Sequence, residues 1–277
     1  MDMRTIYKKT QRTLLLKSIV RRLLPSEEVM VAGLRYHVHP RYNSTERFMW
    51  AEHLTPEPAS IAALCKVVAE RPCFVLDVGA NCGVFTVPLA HSAAPGSIIR
   101  ALEPNPEMAG RLRRNLGLNG LGDRVDVLEV AMAEDEGEAS LVLHKSNLGQ
   151  SSLGKVARPG EALTVSTLPY SKLTGGVDPD MPIVMKIDIE GYEDRALKPV
   201  LYGSDLRLPD VLLMETLHNG DWTYDVPGRL LESGYEALFE GEGNSLLARG
   251  AATHDVTRLL AGTVKRWRRG AGAHATI

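Results

Sequence analysis

The sequence has little of what marks secreted, membrane-spanning or nucleic-acid-binding proteins. Its three cysteines are an odd set without C-x-x-C spacing, which is typical of reduced thiols in a cytosolic protein. It contains no apolar run of membrane-spanning length, and its N-terminus has no long apolar core followed by a small-residue cleavage site. The formal net charge of -2 gives no general basic field for nucleic acid. We therefore expect a cytoplasmic protein without stable membrane insertion and without a nucleic-acid partner.

Three common ligand-binding signatures are also missing. No G-x-x-x-x-G-K-[ST] occurs, which excludes a Walker loop for nucleoside triphosphates. The glycine turn Gly79–Gly83 reads G-A-N-C-G and lacks the middle glycine of the dinucleotide signature G-x-G-x-x-G, and Asp77 beside it would not favour a phosphate. Neither His-x-x-x-His nor paired cysteines are present, so zinc chemistry is unsupported. The turn must therefore take a different kind of ligand.

The glycine turn lies within a strand–turn–helix pattern. The apolar run Phe74–Leu76 is typical of a buried parallel strand, and Asp77 comes at its carboxyl end. A helical pattern follows over Val84–Ala94, so the stretch predicts the first unit of a doubly wound sheet. With 277 residues and a 44% apolar fraction, the chain is long enough for one full α/β domain with additions.

A second predicted strand, Ser97–Leu102, ends at Glu103. An acidic residue at this place, somewhat more than about 20 residues after the loop, suits a ribose diol because a carboxylate can accept hydrogen bonds from both hydroxyls. The loop pattern D-x-G-A-N-x-G resembles the first motif of class I S-adenosylmethionine-dependent methyltransferases, in which the loop cradles the methionine moiety. The resemblance implies that Asp77 attracts the cationic cofactor and that Asn81 bonds its polar end.

The chain divides into three predicted parts. Residues 1–55 form an N-terminal cap with an amphipathic helix over Thr5–Leu24 and a hairpin within Glu28–Pro40; residues 56–268 form the methyltransferase domain, and residues 269–277 a flexible tail. The helix has an apolar face and a basic face, so it can lie on an anionic membrane surface or dock on its own domain or a second subunit. Because it contains no Trp or Phe, docking is favoured, and a homodimer through this helix is one form of it.

Strands and helices alternate through the rest of the chain and end in an antiparallel hairpin, Tyr235–Phe239 with Asn244–Ala248. Arg124–Val130 is predicted as a single strand, and the strands Ile183–Ile187 and Val211–Met214 are each followed by acidic residues. The predicted fold class is therefore α/β. The alternation and the closing hairpin resemble the class I methyltransferase fold, and this resemblance implies a Rossmann-like, mostly parallel seven-stranded sheet in the order 3-2-1-4-5-7-6, capped by the N-terminal helix and hairpin.

Four stretches together resemble the FkbM-type methyltransferases. They are Asp77–Asn81, Glu103–Asn105, Asn115–Gly120 and Lys186–Glu193, of which the last, K-I-D-I-E-G-Y-E, is the most specific. The resemblance spans roughly Glu57–Leu247 and implies S-adenosylmethionine as cofactor and O-methylation of hydroxyls on polyketides, sugars and related small-molecule natural products. One departure is Thr167-Leu168-Pro169, where the family commonly has T-L-D, so the local loop is expected to suit a different substrate.

The predicted site combines a cofactor half and an acceptor half. The cofactor residues are Asp77, Gly79, Ala80, Asn81, Gly83, Glu103, Pro104, Asn105 and Ala131. Methyl transfer to a hydroxyl needs a base within hydrogen-bond reach, and the ends of the fourth and fifth strands supply Asp188, Glu190 and His218 as candidates. Histidine is the residue type that ordinarily titrates closest to neutrality.

Several alternatives remain open at this stage. Asp188, Glu190 and Glu215 offer oxygen ligands for Mg²⁺, but no dense carboxylate cluster demands a metal, and Mg²⁺ is not favoured. The acceptor can be an amine instead of a hydroxyl, in which case the base can be weak or absent. The chain can also be a cofactor-binding scaffold without catalysis. A NAD-dependent oxidoreductase on a similar sheet is disfavoured by the missing middle glycine.

Overall fold

The computed structural model describes residues 2–10, 14–144, 147–153, 162–203 and 207–267, so the predicted tail at 269–277 lies outside the described residues. In chain order the helices are α1 (Met3–Thr10), α2 (Leu14–Arg22), α3 (Ser44–Glu52), α4 (Pro58–Glu70), α5 (Thr86–Ser92), α6 (Pro106–Leu118), α7 (Tyr170–Thr174), α8 (Glu193–Tyr202), α9 (Val226–Glu232) and α10 (Ala251–Trp267). The strands are β1 (Glu27–Val31), β2 (Leu34–Val38), β3 (Phe74–Val78), β4 (Ile98–Leu102), β5 (Val125–Leu128), β6 (Val130–Met132), β7 (Gly137–Val142), β8 (Ala162–Leu168), β9 (Ile183–Ile187), β10 (Val211–Glu215), β11 (Tyr235–Gly241) and β12 (Asn244–Arg249).

A mixed, mostly parallel sheet forms the centre of the molecule. Its strands lie in the order β5-β4-β3-β9-β10-β12-β11; β12 runs antiparallel to both of its neighbours, while the other pairs are parallel. Every residue of β3 and of β9 is buried, as expected for strands covered on both faces. The prediction of a methyltransferase-like α/β fold is therefore confirmed.

Two apolar layers cover the faces of this sheet. Because successive side chains of a strand point to opposite faces, Val75 joins one layer while Leu76 joins the other. The first layer contains α4, α5, α6 and α10, and the second contains α7, α8 and α9. Helices on both faces leave the carboxyl ends of the parallel strands as the open edge, where ligands bind in folds of this kind.

The predicted strand Arg124–Val130 is wrong in one respect, because the chain changes sheets at Glu129. β5 pairs with β4 in the central sheet and ends at Leu128, whereas β6 pairs with β8 in a separate three-stranded sheet of order β6-β8-β7. A continuous strand-like pattern does not show that its two halves pair with different strands, since strand pairing is set by tertiary contacts.

The N-terminal segment packs onto the same core as the central sheet. Its predicted single helix is found as α1 and α2, with residues 11–13 outside the described ranges, and its hairpin is β1 with β2. α3 follows and buries Met49 and Trp50, and its buried Glu46 forms an ion pair with Arg111 of α6. Among the described residues, no helix combines the length and apolar character needed to cross a bilayer.

Candidate functional site

An open cavity of about 970 Å³ lies at the carboxyl ends of β3, β4, β9 and β10. The glycine turn after β3 forms its floor, and the chain segments around α3 and residues 148–153 form its far wall. Gly79 is required in the floor: its φ is +79°, and a Cβ added there would lie 2.0 Å from the backbone oxygen of Asp188. The ends of β3 and β9 thus touch directly and bring the turn against the acidic loop after β9.

Glu103 fixes the conformation of the turn. One carboxylate oxygen accepts from the backbone N–H of Asn81 at 2.8 Å, and the other accepts from the N–H of Asn105 at 2.9 Å. Burial raises the pKa of Glu103 to about 7, against the lowering effect of these two backbone donors. Each carboxylate oxygen has further lone-pair capacity, and Glu103 lines the cavity, so it can still accept from two hydroxyls of a bound ligand.

Asn81 connects this turn to the N-terminal cap. Its Oδ1 accepts from Nδ2 of the fully buried Asn43 at 2.9 Å and also from the N–H of Cys82 at 2.8 Å. Asn43 in turn caps α3 by accepting from the N–H of Glu46. Asn81 has a left-handed φ of +52°, a conformation in which asparagine is favoured over most residues. No sequence motif marks Asn43, because its partner lies 38 residues away.

The predicted cofactor residues fall into two groups. Those that line the cavity are Gly79, Asn81, Glu103, Pro104 and Ala131. Those that support the site from behind, without being part of its lining, are Asp77, Ala80, Gly83 and Asn105. Asn105 caps α6 by accepting from the N–H of Glu107, and a Cβ on Gly83 would lie 2.7 Å from Leu112.

Asp77 differs most from the expectation drawn from the sequence. It is fully buried below the turn, where one oxygen accepts from the Thr86 hydroxyl at 2.6 Å and the other lies 3.4 Å from Nζ of Lys186. Its negative charge is therefore matched by a buried lysine within the fold. The structure places Asp77 as a support of the loop instead of a direct contact to a cationic ligand.

Lys186 joins the turn to the acidic loop after β9. Its ammonium donates to the Gly79 carbonyl at 2.8 Å and lies 3.7 Å from Asp188. Burial disfavours the charged ammonium, but the nearby charges of Asp77 and Asp188 outweigh burial and raise the pKa of Lys186 above its usual range. A buried, charged lysine with these partners holds the two halves of the site together.

The acceptor half of the cavity is acidic. Four carboxyl groups line it: Glu57, Asp188, Glu190 and Glu215. Asp188 and Glu190 were predicted here, whereas His218 does not belong to the lining; its Nε2 lies 3.3 Å from a carboxylate oxygen of Glu190. His218 therefore contacts the cavity through Glu190, which itself has a left-handed φ of +58°. A strained non-glycine residue of this kind is typical of functional sites.

Glu57 is the site residue that sequence reasoning missed. It precedes α4, and one of its oxygens accepts from Nδ2 of Asn244 at 2.8 Å. Burial and the negative charge of Asp188 raise the pKa of Glu57 to about 7. No motif surrounds this position, and its cavity contact depends on β12, 187 residues away.

Glu215 shares its surroundings with Asp188. Burial and the negative charge of Asp188 raise the pKa of Glu215 well above its usual range, with Glu190 and Glu193 acting in the same direction. Burial and the neighbouring negative charges therefore favour the protonated form of Glu215.

Carboxylate oxygens of Asp188, Glu193 and Glu215 lie within 4.8 Å of one another, which is the arrangement in this half of the site that most resembles a cation site. The set differs from the sequence-based metal hypothesis, which used Glu190 in place of Glu193. Glu193 already accepts from the N–H groups of Ile189 and Gly191 and from Nε1 of Trp222. Its oxygens therefore order the acidic loop, and both of them already accept from donors within the fold.

The raised pKa of Glu215 predicts a pH effect on stability. At pH values between the unfolded pKa near 4.5 and the raised pKa of the folded state, only the folded chain keeps the proton on Glu215. The free energy of unfolding therefore falls as pH rises. Glu215→Gln cannot ionise, and the melting temperature of the variant relative to wild type should therefore rise steadily from pH 5 to pH 9. Thermal melts at matched ionic strength measure this difference, and a constant offset across the range would contradict the assignment.

Comparison with known proteins gives three kinds of match. The sequence matches the methyltransferase FkbM domain over residues 77–236, more than half of the chain. Mouse catechol O-methyltransferase is 38% identical over 58 residues, which cover 21% of this chain and 22% of that enzyme, so the match spans about a fifth of the curated relative.

Two solved structures illustrate the structural matches. A methyltransferase from Geobacter sulfurreducens is 17% identical, with 74% of this chain and 86% of that chain covered and a TM-score of 0.40. The precorrin-6y C5,15-methyltransferase from Geobacter metallireducens is 18% identical, with 69% and 86% covered and the same TM-score of 0.40. Similarity at this level carries no information about substrate.

Proposed function

Because the chain belongs to the methyltransferase FkbM family and is an S-adenosylmethionine-dependent methyltransferase, we propose that it methylates a hydroxyl group of a small natural product such as a polyketide or a sugar. The observation that carries the proposal is the division of one cavity into two chemically different halves. Gly79, Asn81 and Glu103 line one half, and a group of carboxyl side chains lines the other. The mouse enzyme that shares a short stretch with this chain is also an O-methyltransferase.

The cofactor half fits S-adenosylmethionine on three observations. Gly79 lets the turn lie directly against the backbone of Asp188 while lining the cavity, and Glu103 presents two oxygens with spare lone pairs toward the cavity. Pro104 and Ala131 add apolar surface beside Glu103. When bound, S-adenosylmethionine supplies a methyl group on a positively charged sulfur.

The acceptor half supplies orientation and a proton acceptor. Ser44, Thr45, Ser151 and Ser152 line the cavity and can hydrogen-bond a polyhydroxylated acceptor. Holding the two reactants in line accounts for most of the rate gain, since effective molarities of oriented reactions reach about 10⁵–10⁸ M. A hydroxyl placed against Asp188 donates its hydrogen bond to the carboxylate, and its proton moves to that oxygen as the acceptor oxygen takes up the methyl group.

The charge of the acceptor half favours a hydroxyl over an amine. An amine must be neutral to act as a nucleophile, but neighbouring carboxylates stabilise its protonated form. Asp188, Glu57 and Glu190 would therefore hold an amine as an ammonium ion without a free lone pair. A hydroxyl has no such problem, because it remains neutral and donates to a carboxylate.

Mass spectrometry of labelled methyl transfer tests the proposal directly. The protein is incubated with methyl-labelled S-adenosylmethionine and matched acceptor pairs that differ only by hydroxyl or amine at one position. We expect label on the hydroxyl members. Label confined to the amine members would replace the proposal by N-methylation, and binding of the cofactor without transfer to any acceptor would favour a scaffold.

Glu103→Ala should weaken binding of S-adenosylmethionine by about 10- to 150-fold. Hydrogen bonds to a charged group are worth roughly 1.5–3 kcal/mol, which sets this range. Isothermal titration calorimetry measures the dissociation constant, and NAD should give no binding heat with the wild-type protein. Glu129→Ala, which removes a half-exposed carboxylate paired with Arg113, is the matched control and should bind as wild type. Equal affinity of the two variants would remove Glu103 from the ribose site.

A further inference from the structure

The apolar face of α2 is wider than the part that its own domain covers. Val20 and Leu24, at one edge of this face, are 8% and 0% exposed and join the core. Leu16, Ile19 and Leu23 form a second stripe beside them and are 50%, 58% and 62% exposed. Leu16 and Ile19, three residues apart, lie on one face of α2, and Leu23 comes in the turn directly after the helix ends at Arg22. Intramolecular docking, favoured from the sequence, thus accounts for Val20 and Leu24 but leaves Leu16, Ile19 and Leu23 exposed.

The exposed stripe belongs to a strongly basic part of the chain. Residues 1–26 contain seven Lys or Arg residues and one Asp, whereas the other 251 residues contain 25 basic and 33 acidic residues. Arg4 pairs with Glu27, Lys8 pairs with Glu52, and Arg21 donates to the carbonyl of Arg41. Lys9 and Arg22 are exposed, and Arg22 directly precedes Leu23 of the stripe. An apolar line flanked by basic residues results.

We propose that α2 docks this protein on the surface of an anionic lipid bilayer, with Leu16, Ile19 and Leu23 in the interface and the basic residues at the headgroups. The pattern is that of an interfacial helix, in which apolar burial and attraction to anionic lipid act together. α2 has nine residues, so it lies in the plane of the interface and does not cross the bilayer. The lack of Trp and Phe makes the binding reversible and dependent on charge.

A second copy of the chain fits the same surface less well. The commonest homodimers are two-fold, so the same patch of both subunits would meet itself. That contact would bring two basic segments against each other, and like charges across an interface oppose association. An anionic surface has the opposite sign and is attracted by the same residues.

Vesicle flotation with the full 277-residue chain tests the inference. Vesicles of phosphatidylcholine mixed with phosphatidylglycerol should bind the protein roughly tenfold or more tightly than phosphatidylcholine alone, and added salt should reduce the difference. Ile19→Glu combined with Leu23→Glu should lower binding to the anionic vesicles by about tenfold or more. Leu231→Glu, at a 64% exposed leucine of α9, is the matched control and should bind as wild type.

Equal binding to neutral and anionic vesicles, or an equal loss of binding in the control variant, would overturn the proposal.

Light scattering of the same variants tests whether a second copy of the chain covers the stripe instead. A wild-type dimer that the Ile19/Leu23 double variant converts to monomer, without vesicle binding, would assign the stripe to a second copy. Both substituted side chains are exposed, so unchanged thermal melts are expected and establish that the variant is folded.

Discussion

Asp188→Asn is expected to lower kcat on the true acceptor by about 10²-fold or more while changing cofactor affinity much less. A general base typically contributes about 10²–10⁴-fold, and asparagine keeps the shape of the side chain but cannot take up the proton. Asp188 lines the cavity at the end of β9, where the Lys186 ammonium lies 3.7 Å from its carboxylate, whereas burial of its companion Glu215 favours the protonated form of that side chain. Asp188 is therefore the residue of this pair that we place against the acceptor hydroxyl.

Steady-state kinetics and calorimetry on Asp188→Asn separate chemistry from binding. Asp126→Asn removes a half-exposed carboxylate of β5 and serves as the matched control, with kcat expected to stay at the wild-type value. His218→Ala should have a smaller effect than Asp188→Asn, because the imidazole contacts Glu190 and does not line the cavity. A folded Asp188→Asn variant with wild-type kcat would assign the rate gain to positioning alone.

Lys186→Met should destabilise the protein by about 3–5 kcal/mol, the usual consequence of removing one partner of a buried ion pair. Asp77 is fully buried and Lys186 is 4% exposed, so the variant leaves a carboxylate in the core without its cation. The Gly79 carbonyl also loses its ammonium donor. Denaturant unfolding monitored by circular dichroism gives the free energy of unfolding.

Lys198→Met is the matched control for this experiment. Lys198 pairs with Glu134 at 2.6 Å, but both side chains are more than a third exposed and solvent screens the pair, so its loss should destabilise the protein much less than the loss of Lys186. Adding Asp77→Asn to Lys186→Met should restore part of the stability, because the unpaired charge is then gone. Equal stability of the two methionine variants would show that the buried pair contributes nothing.

Local signals explain which parts of the molecule could be predicted from the sequence. α4 begins with proline at its first position, and α6 begins with proline and is followed by Asn119-Gly120, which are local signals for where a helix starts and stops. Gly79 and Glu103 were predicted as cavity residues because the backbone itself brings the ends of β3 and β4 together.

Features that depend on long-range contacts could not be predicted in this way. The break at Glu129 arises because β6 pairs with β8, and Asp77 is withdrawn from the cavity because Lys186 neutralises it from a neighbouring strand. Glu57 joins the acidic half only because Asn244 holds it there. In each case a short motif indicates a residue's type and its place along a strand. It does not show which distant side chain that residue contacts.

The hydrogen bond between Asn43 and Asn81 makes the cap and the cofactor turn thermodynamically linked. A ligand that steadies the turn must slow the opening of α3, and a loosened α3 must weaken the ligand by the same factor, since coupling between two sites is reciprocal. Amide hydrogens of α3 should therefore exchange with deuterium more slowly once cofactor is present. Cofactor binding at the floor of the cavity would then be measurable as slower amide exchange in α3, at the far wall.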